Sequence, residues 1–197
     1  MINIVIIGYP GSGKSTHGRR LAREFGLVYL ESGGIFRRLA RKETEMGKKI
    51  NSYLTRGALI PDRLVFKVIL EKIDACLDCN GMVFDGFPRN LKQAKFLDQA
   101  MRKRNTTIHF TYYLKLDKEI AKQRITERTR NQTDTRKDLP ETLVEKRIRQ
   151  EGRHIHPLIR YYKRTDRLYK LFGCCSIDAV QWAMKVFIER EKKLKAF

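Results

Sequence analysis

Apolar and polar positions along this chain follow two periods, which predict strands and helices in alternation. Residues 2–7 form an almost unbroken apolar, β-branched run, which is typical of a buried parallel strand. Leu21, Ala22 and Phe25 instead share one face of a predicted helix over 14–25. Further strands are predicted near 27–30, 81–85, 109–115 and 168–177. Further helices are predicted near 34–43, 47–55, 62–78, 90–102, 117–127, 140–163 and 179–194. This alternation predicts an α/β fold with a parallel sheet.

The first strand and helix are joined by a glycine-rich segment, residues 8–15, that fits the pattern G-x-x-x-x-G-K-[ST]. We call this segment the phosphate loop. Its glycines let backbone N–H groups converge on phosphates, its lysine reaches the terminal phosphates, and a hydroxyl reaches magnesium. The flanking strand and helix place phosphate at a helix N-terminus. The residues expected to contact the phosphates of a nucleotide here are Gly11, Ser12, Gly13, Lys14, Ser15 and Thr16.

A carboxylate ends the strand predicted near 81–85. Asp85 closes an apolar run, and the chain then turns through Gly86 and Pro88. Ligands of open α/β sheets bind beyond the carboxyl ends of the strands, so Asp85 is expected at the same sheet edge as the phosphate loop. It is a candidate to hold magnesium directly or through water. Taken alone, an ordinary aspartate at a strand-end turn is the alternative.

These segments together resemble the nucleoside monophosphate kinases, and the adenylate kinase family above all. The resemblance is carried by the phosphate loop, by Asp85–Arg89 and by Gln93, and it covers nearly the whole chain. It implies a P-loop three-layer fold with a central five-stranded parallel sheet. It also implies a single domain with a core of 1–30, 61–127 and 140–197, a helical monophosphate-binding insert of about 31–60, and a short lid of about 128–138.

The implied reaction is the reversible, magnesium-dependent transfer of the terminal phosphoryl group of ATP to AMP, giving two ADP. Such transfer depends on positioning and positive charge and needs no general base, because the accepting phosphate is already anionic. The implied catalytic residues are Lys14, Arg89, Arg128, Arg136 and Arg147. Arg124, Arg128 and Gln181 join the phosphate loop as implied ATP contacts. The implied AMP contacts are Ser32, Arg37, Ala58, Leu59, Ile60, Gly86, Phe87, Pro88, Arg89, Gln93, Arg136 and Arg147. The implied magnesium residues are Ser15 and, through water, Asp85, with Thr16 as the alternative hydroxyl.

The accepted base depends on Gln93, where adenylate kinases place a glutamine that reads the adenine edge. An amide offers a donor and an acceptor together, which matches the amino group and ring nitrogen of adenine. Pyrimidine monophosphate kinases also resemble this chain, and Asn90 directly after Arg89 is compatible with them. Gln93 followed by Ala94 favours AMP over CMP or UMP.

Three positions depart from the family pattern. Ser15 replaces a common glycine, Gly34 stands where an acidic residue is usual, and Leu139 stands where a second lid aspartate is common. Losing two acids would weaken metal organisation and lid closure, or would mark a second role. The predicted lid contains no Cys or His, so no zinc is expected.

The chain has more basic residues than a phosphate-binding site requires. The chain has 42 Lys and Arg residues against 22 Asp and Glu, a net charge of +20. Attraction to nucleic acid is one interpretation. A solvated basic surface is the favoured one, because no nucleic-acid-binding motif accompanies the charge.

The remaining signals are mostly negative. Cys76 and Cys79 form a C-x-x-C without a second pair at zinc spacing, so the four cysteines are expected to be buried free thiols. The four histidines match no catalytic position and are expected to be structural or on the surface. The sequence contains no run of about 18 apolar residues, so no membrane-spanning helix is predicted. A strand predicted from residue 2 leaves no room for a targeting segment, so we expect a cytoplasmic protein. The short lid makes a monomer the expectation.

Overall fold

A computed structural model describes residues 1–76, 78–130 and 141–194, except the side chains of 128–130, 141–144, 146–147, 150–151 and 192–194. The strands are β1 Ile2–Gly8, β2 Val28–Glu31, β3 Gly81–Asp85, β4 Phe110–Lys115 and β5 Leu168–Phe172. The helices are α1 Lys14–Phe25, α2 Ser32–Ala40, α3 Glu45–Thr55, α4 Asp62–Asp74, α5 Leu91–Arg102, α6 Lys118–Arg130, α7 Glu141–Arg164 and α8 Ile177–Leu194.

The five strands form one parallel sheet in the order β2-β3-β1-β4-β5. β1 is central, which explains why its sequence is apolar on both faces. In the register of the sheet, Ile6 of β1 lies beside Asp85 of β3, and Asp85 lies beside Glu31 of β2. The predicted α/β architecture is therefore confirmed, and the carboxyl ends of three strands meet where the phosphate loop begins.

Two apolar clusters cover the two faces of the sheet. Val5, Ile7 and Phe84 pack on one face against residues of α2 to α5 and of α7. Ile4 and Ile6 pack on the other face against residues of α1 and α8. Alternate side chains of β1 thus enter opposite clusters, as the period of two in a strand requires. The layering holds the ends of the central strands in one rigid edge, on which the site described below is built.

The end of β5 differs from the prediction. The strand stops at Phe172, where a continuous strand over 168–177 was predicted. The chain then turns, and Ser176 Oγ accepts the Ala179 N–H at 3.3 Å, so α8 begins at Ile177. A side-chain acceptor just ahead of a helix satisfies one of its free N–H groups, which is why the serine ends the extended segment.

The expectation for the cysteines is wrong. α4 ends at Asp74, so Cys76 and Cys79 lie in the following turn and not on the helix. There they form a disulfide with a Cα–Cα distance of 5.3 Å. Cys174 and Cys175 have free thiols but are exposed, because they occupy the turn between β5 and α8.

None of the described helices is both long enough and apolar enough to cross a bilayer. α7 has the length, yet its charged residues recur throughout.

Candidate active site

The phosphate loop leads from the end of β1 into α1. Gly13 precedes α1 with φ +91°, in the left-handed region that glycine adopts without penalty. The Lys14 ammonium donates to the backbone carbonyls of Gly8 at 2.6 Å and Tyr9 at 2.8 Å. The loop therefore holds its lysine against its own backbone at the helix N-terminus, where a phosphate is favoured.

Asp85 is the buried carboxylate beside this loop, with 3% of its surface exposed. Its Oδ2 accepts from Ser15 Oγ at 2.6 Å and from the Tyr29 hydroxyl at 2.6 Å. Burial, together with the adjacent Asp85 carboxylate, raises the pKa of Tyr29 far above its ordinary value. Tyr29 therefore stays a neutral donor that holds the carboxylate in place. Thr16 is exposed, so the hydroxyl that faces Asp85 is that of Ser15.

Hard oxygen donors converge at this point, which suits magnesium. Ser15 and Asp85 supply a hydroxyl and a carboxylate beside the phosphate loop. Within the described ranges, no group of three or more Cys, His, Asp or Glu side chains forms a metal cage. Magnesium in nucleotide sites commonly uses one or two protein oxygens and fills the rest with water and phosphate oxygens. The residues present fit that arrangement.

Arg89 brings a second cation to the same place. It shares one pocket with Lys14, Gly8, Gly86 and Pro88. Its Nε donates to the Gly86 carbonyl at 2.8 Å, which anchors the guanidinium, and the Phe87–Pro88 peptide bond is cis. Two residues that the sequence assigned to different nucleotides, Lys14 and Arg89, are thus brought together around one pocket.

Ser32 and Gly86 join the start of α2 to the turn after β3. The buried Ser32 hydroxyl donates to the Gly86 carbonyl at 2.6 Å. Gly86 has φ +73°, and a Cβ there would lie 2.8 Å from Ser32 Oγ. Glycine adopts this φ without penalty and leaves room for Ser32, so the contact holds the two predicted acceptor segments together.

Glu31 provides a carboxylate that the sequence analysis missed. It pairs with Arg37 at 2.8 Å and with Arg19 at 3.0 Å. A Cβ built on Gly34 would lie 3.3 Å from the carboxyl carbon of Glu31. Negative charge therefore stands beside Gly34 although that residue has no side chain. Its place at the end of a predicted strand could have indicated a site residue, because Glu31 ends β2 as Asp85 ends β3.

The remaining predicted acceptor residues lie around the starts of α4 and α5. Ala58, Leu59 and Ile60 form a half-buried connection between α3 and α4. Gln93 is buried in the first turn of α5, and its side chain contacts Asp62 at the start of α4. The structure brings these residues together at one end of the two helices.

Arg124 of α6 contacts the turn that follows β5. Its Nη1 donates to the carbonyl of Gly173 at 2.8 Å. A Cβ built on Gly173 would lie 3.2 Å from the Ser12 carbonyl oxygen, so this turn also borders the phosphate loop. The position is compatible with the predicted contact to ATP.

Gln181 of α8 lies behind the phosphate loop, and its contact with ATP stays a prediction. It is 7% exposed, and its Oε1 is 3.2 Å from Nδ1 of the buried His17. Burial is the main cause that lowers the pKa of His17. The His17 ring in turn lies beside Gly13, since a Cβ there would be 3.3 Å from His17 Cδ2. Gln181 therefore supports the phosphate loop through His17.

Three predicted lid-side arginines cannot be placed. Arg128 and Arg147 belong to α6 and α7, but their side chains lie outside the described residues. Arg136 and the departure at Leu139 lie outside them altogether.

A phosphate loop, a strand-end aspartate beside its hydroxyl, and an arginine sharing the pocket of its lysine define a P-loop nucleotide-binding protein. Comparison with known families narrows that class. The family model described as "Adenylate kinase" matches residues 6–167, and the chain belongs to this family. The resemblance stated from the sequence is thereby confirmed.

Several curated relatives span nearly the whole chain. An adenylate kinase of Flavobacterium psychrophilum is 34% identical, over 91% of this chain and 94% of its own length. An adenylate kinase of Phocaeicola vulgatus is 32% identical over the same shares. One from Thermosipho africanus is 30% identical, over 91% of this chain and 95% of its own length. The family match spans the phosphate loop, the strands β2 to β4 and the acceptor-side segments.

Proposed function

We propose that this protein transfers the terminal phosphoryl group of ATP to AMP, reversibly and with magnesium, giving two ADP. The observation that carries the proposal is the shared pocket of Lys14 and Arg89 at the carboxyl edge of the sheet. One cation comes from the phosphate loop and the other from the turn after β3. The relatives' common name, adenylate kinase, supports AMP as the acceptor over CMP or UMP.

The chemistry asked of these residues is electrostatic. Two anionic nucleotides repel each other, and charge spreads over the moving phosphoryl group, so fixed cations lower the barrier. Lys14 would contact the terminal phosphates of ATP, while Arg37 and Arg89 would hold the AMP phosphate with planar, bidentate donors. Arg124 would lie on the ATP side, beside the turn that contains Gly173.

Magnesium would be held by Ser15 and, through water, by Asp85. When bound, the ion neutralises charge on the ATP phosphates and orients them. The chain's own contribution is to fix the two oxygens: the Tyr29 hydroxyl donates to the same Asp85 oxygen as Ser15 does. Asp85 is thus aimed before any nucleotide arrives.

The acceptor would bind to the insert of about 31–60 and to the turn after β3. Ser32, Arg37 and the connection 58–60 would line it on one side. Gly86 to Arg89 would line it on the other. Gln93 would read the adenine edge through its amide.

The short lid of about 128–138 would close over the transferring group. Arg128, Arg136 and Arg147 would bring further positive charge and help to exclude water, which keeps hydrolysis from competing with transfer. We propose a cytoplasmic monomer. The chain's excess of basic residues is assigned to solvated surface, and nucleic acid stays the alternative ligand for it.

The test is a coupled assay of ADP formation from Mg-ATP with AMP, CMP, UMP or GMP at equal concentration. ADP should form fastest with AMP and depend on magnesium. Lys14→Ala should lower kcat at least about a hundredfold, because it removes the cation nearest the transferring group. If AMP gave no ADP above the level of Lys14→Ala, the proposal would be abandoned; a clear preference for CMP or UMP would overturn the acceptor.

A further inference from the structure

The side-chain amide of Gln93 is held from both ends. It is 3% exposed, at the third position of α5. Its Oε1 accepts the backbone N–H of Arg89 at 2.7 Å, and its Nε2 donates to Oδ1 of Asp62 at 2.8 Å. A backbone N–H can only donate and a carboxylate can only accept. The two partners therefore fix which end of the amide is oxygen and which is nitrogen.

Asn90 repeats this arrangement on the same carboxylate. Its Oδ1 accepts the backbone N–H of Gln93 at 2.8 Å, and its Nδ2 lies 3.3 Å from Asp62 Oδ1. Two amide nitrogens thus converge on one oxygen of Asp62. The other oxygen, Oδ2, lies 3.9 Å from the exposed ammonium of Lys92. One oxygen of Asp62 therefore orients both amides at the start of α5.

We infer that Asp62 is a positioning residue for base selection, which fixes the Gln93 amide in the orientation that suits adenine and opposes guanine. This inference rests on the proposed function, in which Gln93 reads the acceptor base. Each amide atom keeps one further hydrogen-bonding position, an acceptor on Oε1 and a donor on Nε2.

The two purines require opposite arrangements of donor and acceptor from the Gln93 amide. Adenine offers an amino donor beside a ring-nitrogen acceptor. Guanine offers a carbonyl acceptor beside a ring N–H donor at the corresponding positions. A glutamine free to rotate by 180° about its last bond serves either base. One held by Asp62 and by the Arg89 N–H serves adenine and leaves guanine with unpaired, opposed groups, which is an effective way to reject a ligand.

Asp62 itself need not contact the nucleotide. A role confined to stability would lower the melting temperature of a variant and leave its ratio of activities with the two purines unchanged. The ratio of kcat/KM for AMP to kcat/KM for GMP is therefore the informative quantity, and the Kd ratio of the same two nucleotides measures selection without turnover.

The experiment compares Asp62→Leu with Asp62→Asn in the full chain. Both lose the negative charge, the acidic residue in the first turn of α4 and the pairing with Lys92. Only Asn keeps an oxygen that can accept from Gln93 and Asn90. We expect Asp62→Leu to lower the AMP-to-GMP ratio about tenfold, while Asp62→Asn stays within about twofold of the unmodified protein. Lys92→Ala should leave the ratio unchanged.

An unchanged ratio of kcat/KM and of Kd in Asp62→Leu would overturn the inference, and so would an equal loss in Asp62→Asn. Asp62→Ala removes the same oxygen without added bulk and replaces the Leu variant if that variant does not fold. Failure of the proposed function looks different: the unmodified protein would form no ADP from AMP. The Kd ratios would still test Asp62 in that event.

Discussion

Asp85 shows how a single carboxylate is prepared for its task. It ends a fully buried strand, so its own position is fixed by the sheet. Ser15 and Tyr29 both donate to its Oδ2, and neither contact requires a ligand. Preorganised groups need no rearrangement when charge develops, which is where electrostatic catalysis gains most. The same reasoning applies to Glu31, which ends the neighbouring strand β2 and holds the guanidinium of Arg37 in place.

Replacing Glu31 tests that second contact. Glu31→Ala removes the carboxylate that holds the Arg37 guanidinium at 2.8 Å, so the arginine should sample more orientations. We expect KM for AMP to rise by roughly 3- to 10-fold with KM for ATP unchanged, the size of one charge-assisted hydrogen bond. Steady-state kinetics with each nucleotide varied in turn measures both constants.

Arg19→Ala is the matched control, because it removes the other partner of Glu31 on the exposed side of α1. It should leave both KM values near those of the unmodified protein. A fall in KM for AMP in Glu31→Ala would mean that Glu31 competes with the phosphate for Arg37, contrary to the role assigned here.

An ion pair with a buried carboxylate joins helices and a strand away from the site. Asp98 of α5 is 3% exposed and accepts from Arg167 at 2.7 and 2.9 Å. The Tyr161 hydroxyl of α7 donates to it at 2.5 Å. Arg167 lies directly before β5, so one carboxylate links α5, α7 and the edge of the sheet. Such a network fixes α7 against the sheet.

Breaking this network should destabilise the fold. Asp98→Ala leaves the largely buried Arg167 guanidinium without its carboxylate, and we expect the free energy of unfolding to fall by about 3 kcal/mol. Asp74→Ala is the control, since the Asp74–Arg104 pair involves a half-exposed carboxylate and should cost less than about 1 kcal/mol. Urea unfolding followed by circular dichroism measures both. Equal losses in the two variants would contradict the role given to Asp98.

The elements themselves were largely predictable, because their apolar periods are strong. β1 and the phosphate loop follow directly from the printed residues. The end of β5 could not be predicted in this way. Cys174 and Cys175 are apolar and continue the strand pattern until Ser176 caps α8. The contact of Gln181 with His17 was not predicted, because only tertiary packing brings the two residues together. The ion pairs of Glu31 were missed because its partners, Arg19 and Arg37, come from two helices. No local sequence pattern shows these contacts.

The whole molecule carries a net charge of +20, and its proposed substrates are polyanions. A field of that sign raises the local concentration of nucleotides and is screened by salt over a Debye length of about 8 Å at 0.15 M. We therefore expect KM for both ATP and AMP to rise several-fold between about 0.05 and 0.5 M KCl, with kcat changing less. If the KM values did not change over that range, the surface charge would have no effect on nucleotide binding at the site.

In the proposed reaction, the loop of Lys14 and the turn of Arg89 hold two nucleotides for direct transfer. The decisive measurement follows the label from ATP labelled in its γ-phosphate, in the presence of AMP and magnesium. We expect two ADP per AMP consumed, with the label in the β-phosphate of the ADP made from AMP, and loss of this transfer in Lys14→Ala. Label released as inorganic phosphate, with AMP unchanged, would contradict it.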